Sequence, residues 1–258
     1  MRFLTDRILV RHYLYLFGSF GTYCLFYSQE NMIGIIVQLI ISWVLIWLFE
    51  KKDLGVLGFY PTRQRLLDFV LFFIVAGTCA ALGFFMRMYF GERWELNPLF
   101  TGRLLAEGLW YNIKSVLFEE LIFRGVILYI LIRKLGMTKA IVISAIAFGV
   151  YHWFSFGVIG NPGPMIVIFI ITGIAGLLYA YGYAKTFSLY IPCAIHLGWN
   201  FTSNFIFSNG NIGNGIFIAA KPVSITTVSW FVYLFVSYFP MVCMLVVNYV
   251  LIKRKKQV

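Results

Sequence analysis

Charge is what this chain has least of. Charged residues make up 12% of its 258 positions, with only ten acids and three histidines. A soluble domain carries about 25% charged and about 45–50% apolar residues, whereas here the apolar share is 61% and the mean hydropathy +0.85. A water-soluble globular domain is therefore excluded, and so are a disordered and a collagen-like chain. Cysteine is also scarce. Cys24, Cys79, Cys193 and Cys243 lie inside apolar runs and form no CxxC pair, which removes a disulfide framework and a thiolate metal site. Buried free cysteine acts as a small hydrophobe, although Cys193 shares a helix face with His196. No strand leads into a Gly-rich phosphate cradle, so Gly160–Pro164 and Ser208–Gly215 read as turns. The net charge of +11 does not point to nucleic acid, because a basic groove needs an aqueous face.

What the chain does have is long apolar runs. About 20 mostly apolar residues cross a bilayer as a helix, and eight candidate spans fall at roughly 13–28, 32–49, 66–86, 109–132, 140–159, 165–184, 187–207 and 224–251. The apolar run after the basic N-terminal segment lacks a small-residue cleavage site and reads as the first span rather than a signal peptide. Pro240 should kink the last one. Trp47, Tyr60, Tyr89 and Trp94 suit the membrane interface.

Orientation follows from the basic residues. With a cytoplasmic N-terminus, that side holds Arg2, Arg7, Arg11, Lys51, Lys52, Arg63, Arg65, Arg133, Lys134, Lys139, Lys185, Lys253, Arg254, Lys255 and Lys256, and the other holds Arg87, Arg93, Arg103 and Lys221. The expectation is an all-α, polytopic membrane helical bundle of about eight transmembrane helices, both termini cytoplasmic, forming a single domain over 1–258 in the lipid bilayer.

Ionisable residues deep in such spans are functional candidates by default. They form three groups: Glu119, Glu120 and Arg124 in the fourth span, His152 in the fifth, and His196 with Asn200 in the seventh. Asp68 and Lys114 lie nearer span ends, from where they can snorkel toward the headgroups. Glu120 and Arg124 are four apart and share a helix face, while Glu119 is rotated by about 100° and stays free for chemistry. Phe148 and His152 share a face, as do His196 and Asn200. Counted from Arg133, Lys139 and Lys185 at about 1.5 Å per residue, Glu119, His152 and His196 all fall about 16–21 Å from the cytoplasmic side.

EExxxR (Glu119, Glu120, Arg124), FxxxH (Phe148, His152) and HxxxN (His196, Asn200), in that order, resemble the CPBP family of CAAX prenyl endopeptidases, bacteriocin-processing enzymes and abortive-infection proteins. The motif-bearing core is about 109–207. The resemblance implies an intramembrane endopeptidase that hydrolyses a peptide bond of a membrane-associated peptide or protein. Leader-peptide, pheromone or bacteriocin processing and self-immunity are the associated roles, and a bacterial plasma membrane the expected location. It assigns Glu119 as the base that activates water, His152 as the group orienting that water, and His196 with Asn200 as oxyanion donors. Glu120, Arg124 and Phe148 would support the site. The family has been read both as metal-free and as zinc-dependent; a zinc ion would take Glu119, His152 and His196, an open-position set of the kind catalytic zinc uses. Substrate is expected from the cytoplasmic side or laterally from lipid. The rival readings are a transporter or proton-coupled carrier, in which buried Glu, Arg and His form a relay, and a catalytically silent immunity or scaffold protein.

Overall fold

Eight α-helices carry the fold among the residues that the structure, a computed structural model, describes: 32–208, 215–221 and 229–256. The expected span at 13–28 lies outside them. In chain order the helices are α1 (Met32–Glu50), α2 (Arg63–Tyr89), α3 (Gly102–Arg124), α4 (Val126–Leu135), α5 (Met137–Ser155), α6 (Pro162–Thr186), α7 (Tyr190–Phe201) and α8 (Trp230–Lys253). Thr62, Thr101 and Ser229 cap α2, α3 and α8 by accepting backbone N–H bonds from their first turns.

Five helices, α1, α2, α5, α6 and α8, are long and apolar enough to cross a membrane. Their outward faces expose large apolar residues such as Ile33, Trp47, Leu67, Phe85, Ile166 and Phe231. Water would not tolerate so continuous an apolar surface, whereas lipid would. The protein is an integral membrane protein.

Two expected spans are divided differently in the structure. The stretch 109–132 breaks at Gly125, between α3 and α4. A Cβ on Gly125 would collide with the Leu121 carbonyl oxygen, so only glycine allows the chain to turn there. The stretch 187–207 is helical through Phe201, then passes through a π-helical turn (Thr202–Ile206) into a short strand. The bundle is also not purely helical. Strands β1 (Arg93–Leu96), β2 (Phe207–Ser208) and β3 (Phe217–Lys221) form a small sheet in the order β1-β3-β2, with β1 antiparallel and β2 parallel to β3. Phe207 stacks on Phe84 at 4.4 Å and on Phe217 at 5.7 Å, and Trp94 meets Phe84 edge-on at 5.2 Å. Trp94, expected as an interfacial residue, thus also pins the sheet to α2.

The two ends of the bundle differ. At one end Lys52 Nζ donates to the Tyr129 hydroxyl at 3.4 Å, Leu189 N to the Leu57 carbonyl at 3.3 Å, and Tyr190 Oη to the Phe59 carbonyl at 3.2 Å. Arg133 faces Glu50 there at 3.9 Å. Lys51, Lys52, Arg63, Arg65, Arg133, Lys134, Lys139, Lys185 and the Lys253–Lys256 run flank these ties, so this is the basic end. Asp68 is buried at this end, where it accepts from Gln64 and pairs with Lys255. Lys114 is buried as well, within α3. The sheet marks the opposite end, where Asn97 N donates to the Ile216 carbonyl at 2.9 Å.

Helices α2 and α7 approach through small residues, as membrane helices do. A Cβ on Gly198 would strike the Phe73 carbonyl, a backbone atom that cannot swing aside. Gly198→Ala is therefore expected to destabilise the protein by about 1–3 kcal/mol through overpacking, read as a lower unfolding temperature in detergent. An unchanged transition would show that the two helices can separate freely.

Candidate active site

Glu119 and Glu120 are adjacent in α3 but face different surroundings. Glu120 and Arg124, one helical turn apart, are both fully buried, with Glu120 Oε1 3.1 Å from Arg124 Nη1. Arg124 Nη2 also donates to the Gly176 carbonyl of α6 at 3.3 Å, and the Phe148 ring lies 4.1 Å from the guanidinium carbon. A Cβ at Gly176 would press on Phe148, on Ala145 and on Arg124 Nη2, so glycine there makes room for the arginine. A charge this deep is tolerated because it is paired and hydrogen-bonded.

The same Glu120 oxygen receives a second contact, which the motif spacing alone does not reveal. His196 Nδ1 of α7 lies 2.8 Å from it. An arginine-paired carboxylate accepts, so Nδ1 carries the proton and donates. The Tyr179 ring of α6 stacks on the His196 imidazole at 5.1 Å and 19°. Position and tilt of His196 are thus set by groups from two other helices.

His152 is held in a parallel way. Its Nδ1 lies 2.8 Å from the Phe148 carbonyl one turn earlier. A carbonyl only accepts, so Nδ1–H again donates and Nε2 is left facing away. The Phe148 ring packs against both imidazoles, at 4.4 Å from His152 and 5.9 Å from His196.

Both Nε2 atoms point at one place. Glu119 Oε2 is 3.9 Å from His152 Nε2 and 3.9 Å from His196 Nε2. Among the described residues this buried oxygen has no hydrogen-bond partner. At 3.9 Å neither contact is a direct hydrogen bond, and the distance is one that a single shared water can span. Three groups from α3, α5 and α7 therefore converge around a water-sized gap, each with its free atom turned inward.

A divalent cation fits this gap less well. Zinc with ligands at about 2.0–2.1 Å in a tetrahedron keeps ligand atoms about 3.3–3.5 Å apart, less than the observed 3.9 Å. Among the described residues no group of three His, Cys, Asp or Glu side chains is placed to hold a metal ion. As arranged, the donor atoms stand farther apart than a tetrahedral zinc shell holds them.

The three groups border a cavity of about 320 Å³. Asn200 lines it one turn beyond His196, as HxxxN implies, and Tyr111, Ser115, Ser155 and Asn204 line it as well. The motifs do not contain these last four. Ser115 and Asn204 sit one turn from Glu119 and Asn200, so the helix period points to them in retrospect, whereas nothing local marks Tyr179. A larger cavity, of about 460 Å³, lies at the basic end around Asp68, Ser188, Tyr190 and Lys255. Its carboxylate is already taken by Gln64 and Lys255, so the unpartnered Glu119 oxygen decides between the two.

The depth estimate changes in part. Glu119 is separated from Arg133 by the break at Gly125, so their spacing is not a straight helical rise. His152 lies only three residues from the end of α5.

No curated protein and no solved structure gives a significant match. Residues 101–202 match the family model described as type II CAAX prenyl endopeptidase Rce1-like. That stretch contains all three motifs, from Glu119 to Asn200, so the segment that builds the site is similar to the CAAX prenyl endopeptidases that the motifs resemble.

Proposed function

We propose that the protein is an intramembrane endopeptidase that hydrolyses a peptide bond of a membrane-associated peptide or protein by means of a water held between Glu119, His152 and His196. The observation that carries this reading is the unpartnered Glu119 Oε2, 3.9 Å from both Nε2 atoms. The matched family, one of peptidases, supports it. The eight-span arrangement with cytoplasmic termini in a bacterial plasma membrane belongs to the same proposal; the five apolar helices support its membrane placement and the skewed basic charge its orientation.

In this reaction the water gives a proton to Glu119 while its oxygen attacks the carbonyl carbon. The resulting oxyanion accepts from the Asn200 amide. It also accepts from His196 Nε2–H when that imidazole carries both protons, with Nδ1–H held by the Glu120 carboxylate. Collapse of the intermediate breaks the C–N bond, and the proton held by Glu119 passes to the leaving amine. His152 keeps the water in line, with Phe148 fixing its ring. Glu120 and Arg124 act through His196 and do not touch the reacting atoms.

The test is cleavage of a membrane-inserted peptide by the purified protein in liposomes made with ¹⁸O-labelled water. Hydrolysis by water places one labelled oxygen in the new carboxyl terminus, read by mass spectrometry. Intact peptide after incubation with several such substrates would count against the proposal and favour the carrier or scaffold reading. A metal-free site further predicts that chelation with 1,10-phenanthroline leaves the cleavage rate unchanged. Loss of rate restored by added zinc would contradict the water-only site.

A further inference from the structure

The cavity at Glu119 has a direction. On α3 its lining residues Tyr111 and Ser115 precede Glu119, toward the helix start; Ser155 at the end of α5 and Phe156 just beyond it follow His152; Asn200 on α7 and Asn204 in the π-helical turn follow His196. In each case the step leads away from the basic end and toward the sheet. In α6 and α8, too, the lining residues do not pass Tyr179 and Met244 toward the basic end.

Between this cavity and the one at the basic end, the interior formed by the described residues is filled. Glu120 and Arg124 are fully enclosed, and Ile191 and Ile195 are at most 1% exposed. Phe123 meets Phe148 edge-on at 5.1 Å and Tyr151 at 5.3 Å. Packed aromatic and aliphatic side chains at interior density leave no path for a polypeptide. The basic end, carrying Lys51, Lys52, Arg63, Arg65, Arg133, Lys134, Lys139, Lys185 and Lys253–Lys256, is the cytoplasmic one by the positive-inside rule.

We infer that the cavity admits its substrate from the extracytoplasmic side, so that the polypeptide it takes is one presented at the outer leaflet or beyond it. Access from the cytoplasmic side or laterally from lipid, expected from sequence, gives way in this inference to access from the sheet end. The lining suits an extended peptide there: Ser115, Ser155, Asn200 and Asn204 are neutral polar groups that can pair with backbone N–H and C=O, and the only carboxylate among the lining residues is that of Glu119. The identity of the substrate as a polypeptide rests on the peptidase reading above, whereas the direction of access does not.

The test is thiol accessibility. In a chain with Cys24, Cys79, Cys193 and Cys243 replaced by alanine, Ser155→Cys and Asn204→Cys are introduced separately, with Lys256→Cys as the marker of the basic end. A membrane-impermeant maleimide is applied to sealed right-side-out and inverted vesicles. The expected result is labelling of Ser155→Cys and Asn204→Cys only in right-side-out vesicles and of Lys256→Cys only in inverted ones. Labelling of both cavity positions only in inverted vesicles, labelling of neither from either side, or labelling of Lys256→Cys from outside would overturn the inference. If the cysteine-free chain does not accumulate, the same substitutions in the natural background are read against the unsubstituted chain. Repeating the labelling in Glu119→Gln separates the two ideas, because accessibility persists there whether or not cleavage is lost.

Discussion

Glu119→Gln is expected to lower peptide cleavage by about 10²–10⁴-fold while leaving the protein folded, since a positioned general base contributes about that much. The amide is isosteric with the carboxylate but has no proton affinity to draw on. Glu119 Oε2 makes no hydrogen bond among the described residues, so replacing it removes no structural partner there. Substrate binding should change little, and the loss should fall on kcat rather than KM, as expected for a group used only in the transition state. The rate of peptide cleavage in liposomes and the unfolding temperature in detergent together check this. Retained biological activity in Glu119→Gln would favour the silent immunity or scaffold reading.

Arg124→Ala has the largest expected effect on stability, a loss of about 3–5 kcal/mol, because removing one partner of a buried pair strands the other charge. Arg124 is completely enclosed and is held by Glu120, Gly176 and the Phe148 ring. Activity should fall too, since Glu120 also positions His196 Nδ1. A second variant separates the two consequences. Arg124→Met combined with Glu120→Gln removes both charges and keeps approximate volume, and such replacement of a whole buried pair is often close to neutral. It should recover much of the stability lost in Arg124→Ala. Cleavage should recover less, because a neutral amide holds His196 Nδ1–H by a weaker hydrogen bond than the carboxylate does. Thermal unfolding and cleavage rate, measured on the same preparations, check both halves. Full recovery of both would make Glu120 and Arg124 packing residues alone.

The parts of this site that lie within one helix were legible in the sequence. A four-residue step announces the Glu120–Arg124 pair and leaves Glu119 rotated away from it, and both features hold in the structure. Ionisable groups in apolar runs singled out His152 and His196, which meet Glu119 at equal distances. What was not legible lies between helices. Helix periodicity says which residues share a face but not how one helix is rotated against the next. The bond from Glu120 to His196, 76 residues apart, therefore had no local signal. The same holds for Tyr179 stacked on His196 and for Gly176 giving way to Arg124. The small sheet escaped because strands of two to five residues carry too short an alternation to register beside helical runs. The direction of the cavity was not legible for a related reason: residue counts from the basic ends measure depth along a helix but not where side chains leave space. The break at Gly125 shows how even the depth count fails when an apolar run is two helices.

The central claim is that Glu119, His152 and His196 work as one unit on one water, and a double-mutant cycle on the cleavage rate tests it most directly. Glu119→Gln and His152→Ala are compared singly and together, with the residual rate of each measured under single-turnover conditions. Groups that share one water are strongly non-additive, so the double variant should be hardly slower than the slower of the two single variants. Losses that simply multiply in the double variant would mean that the two residues act independently, and the shared-water site would then be wrong.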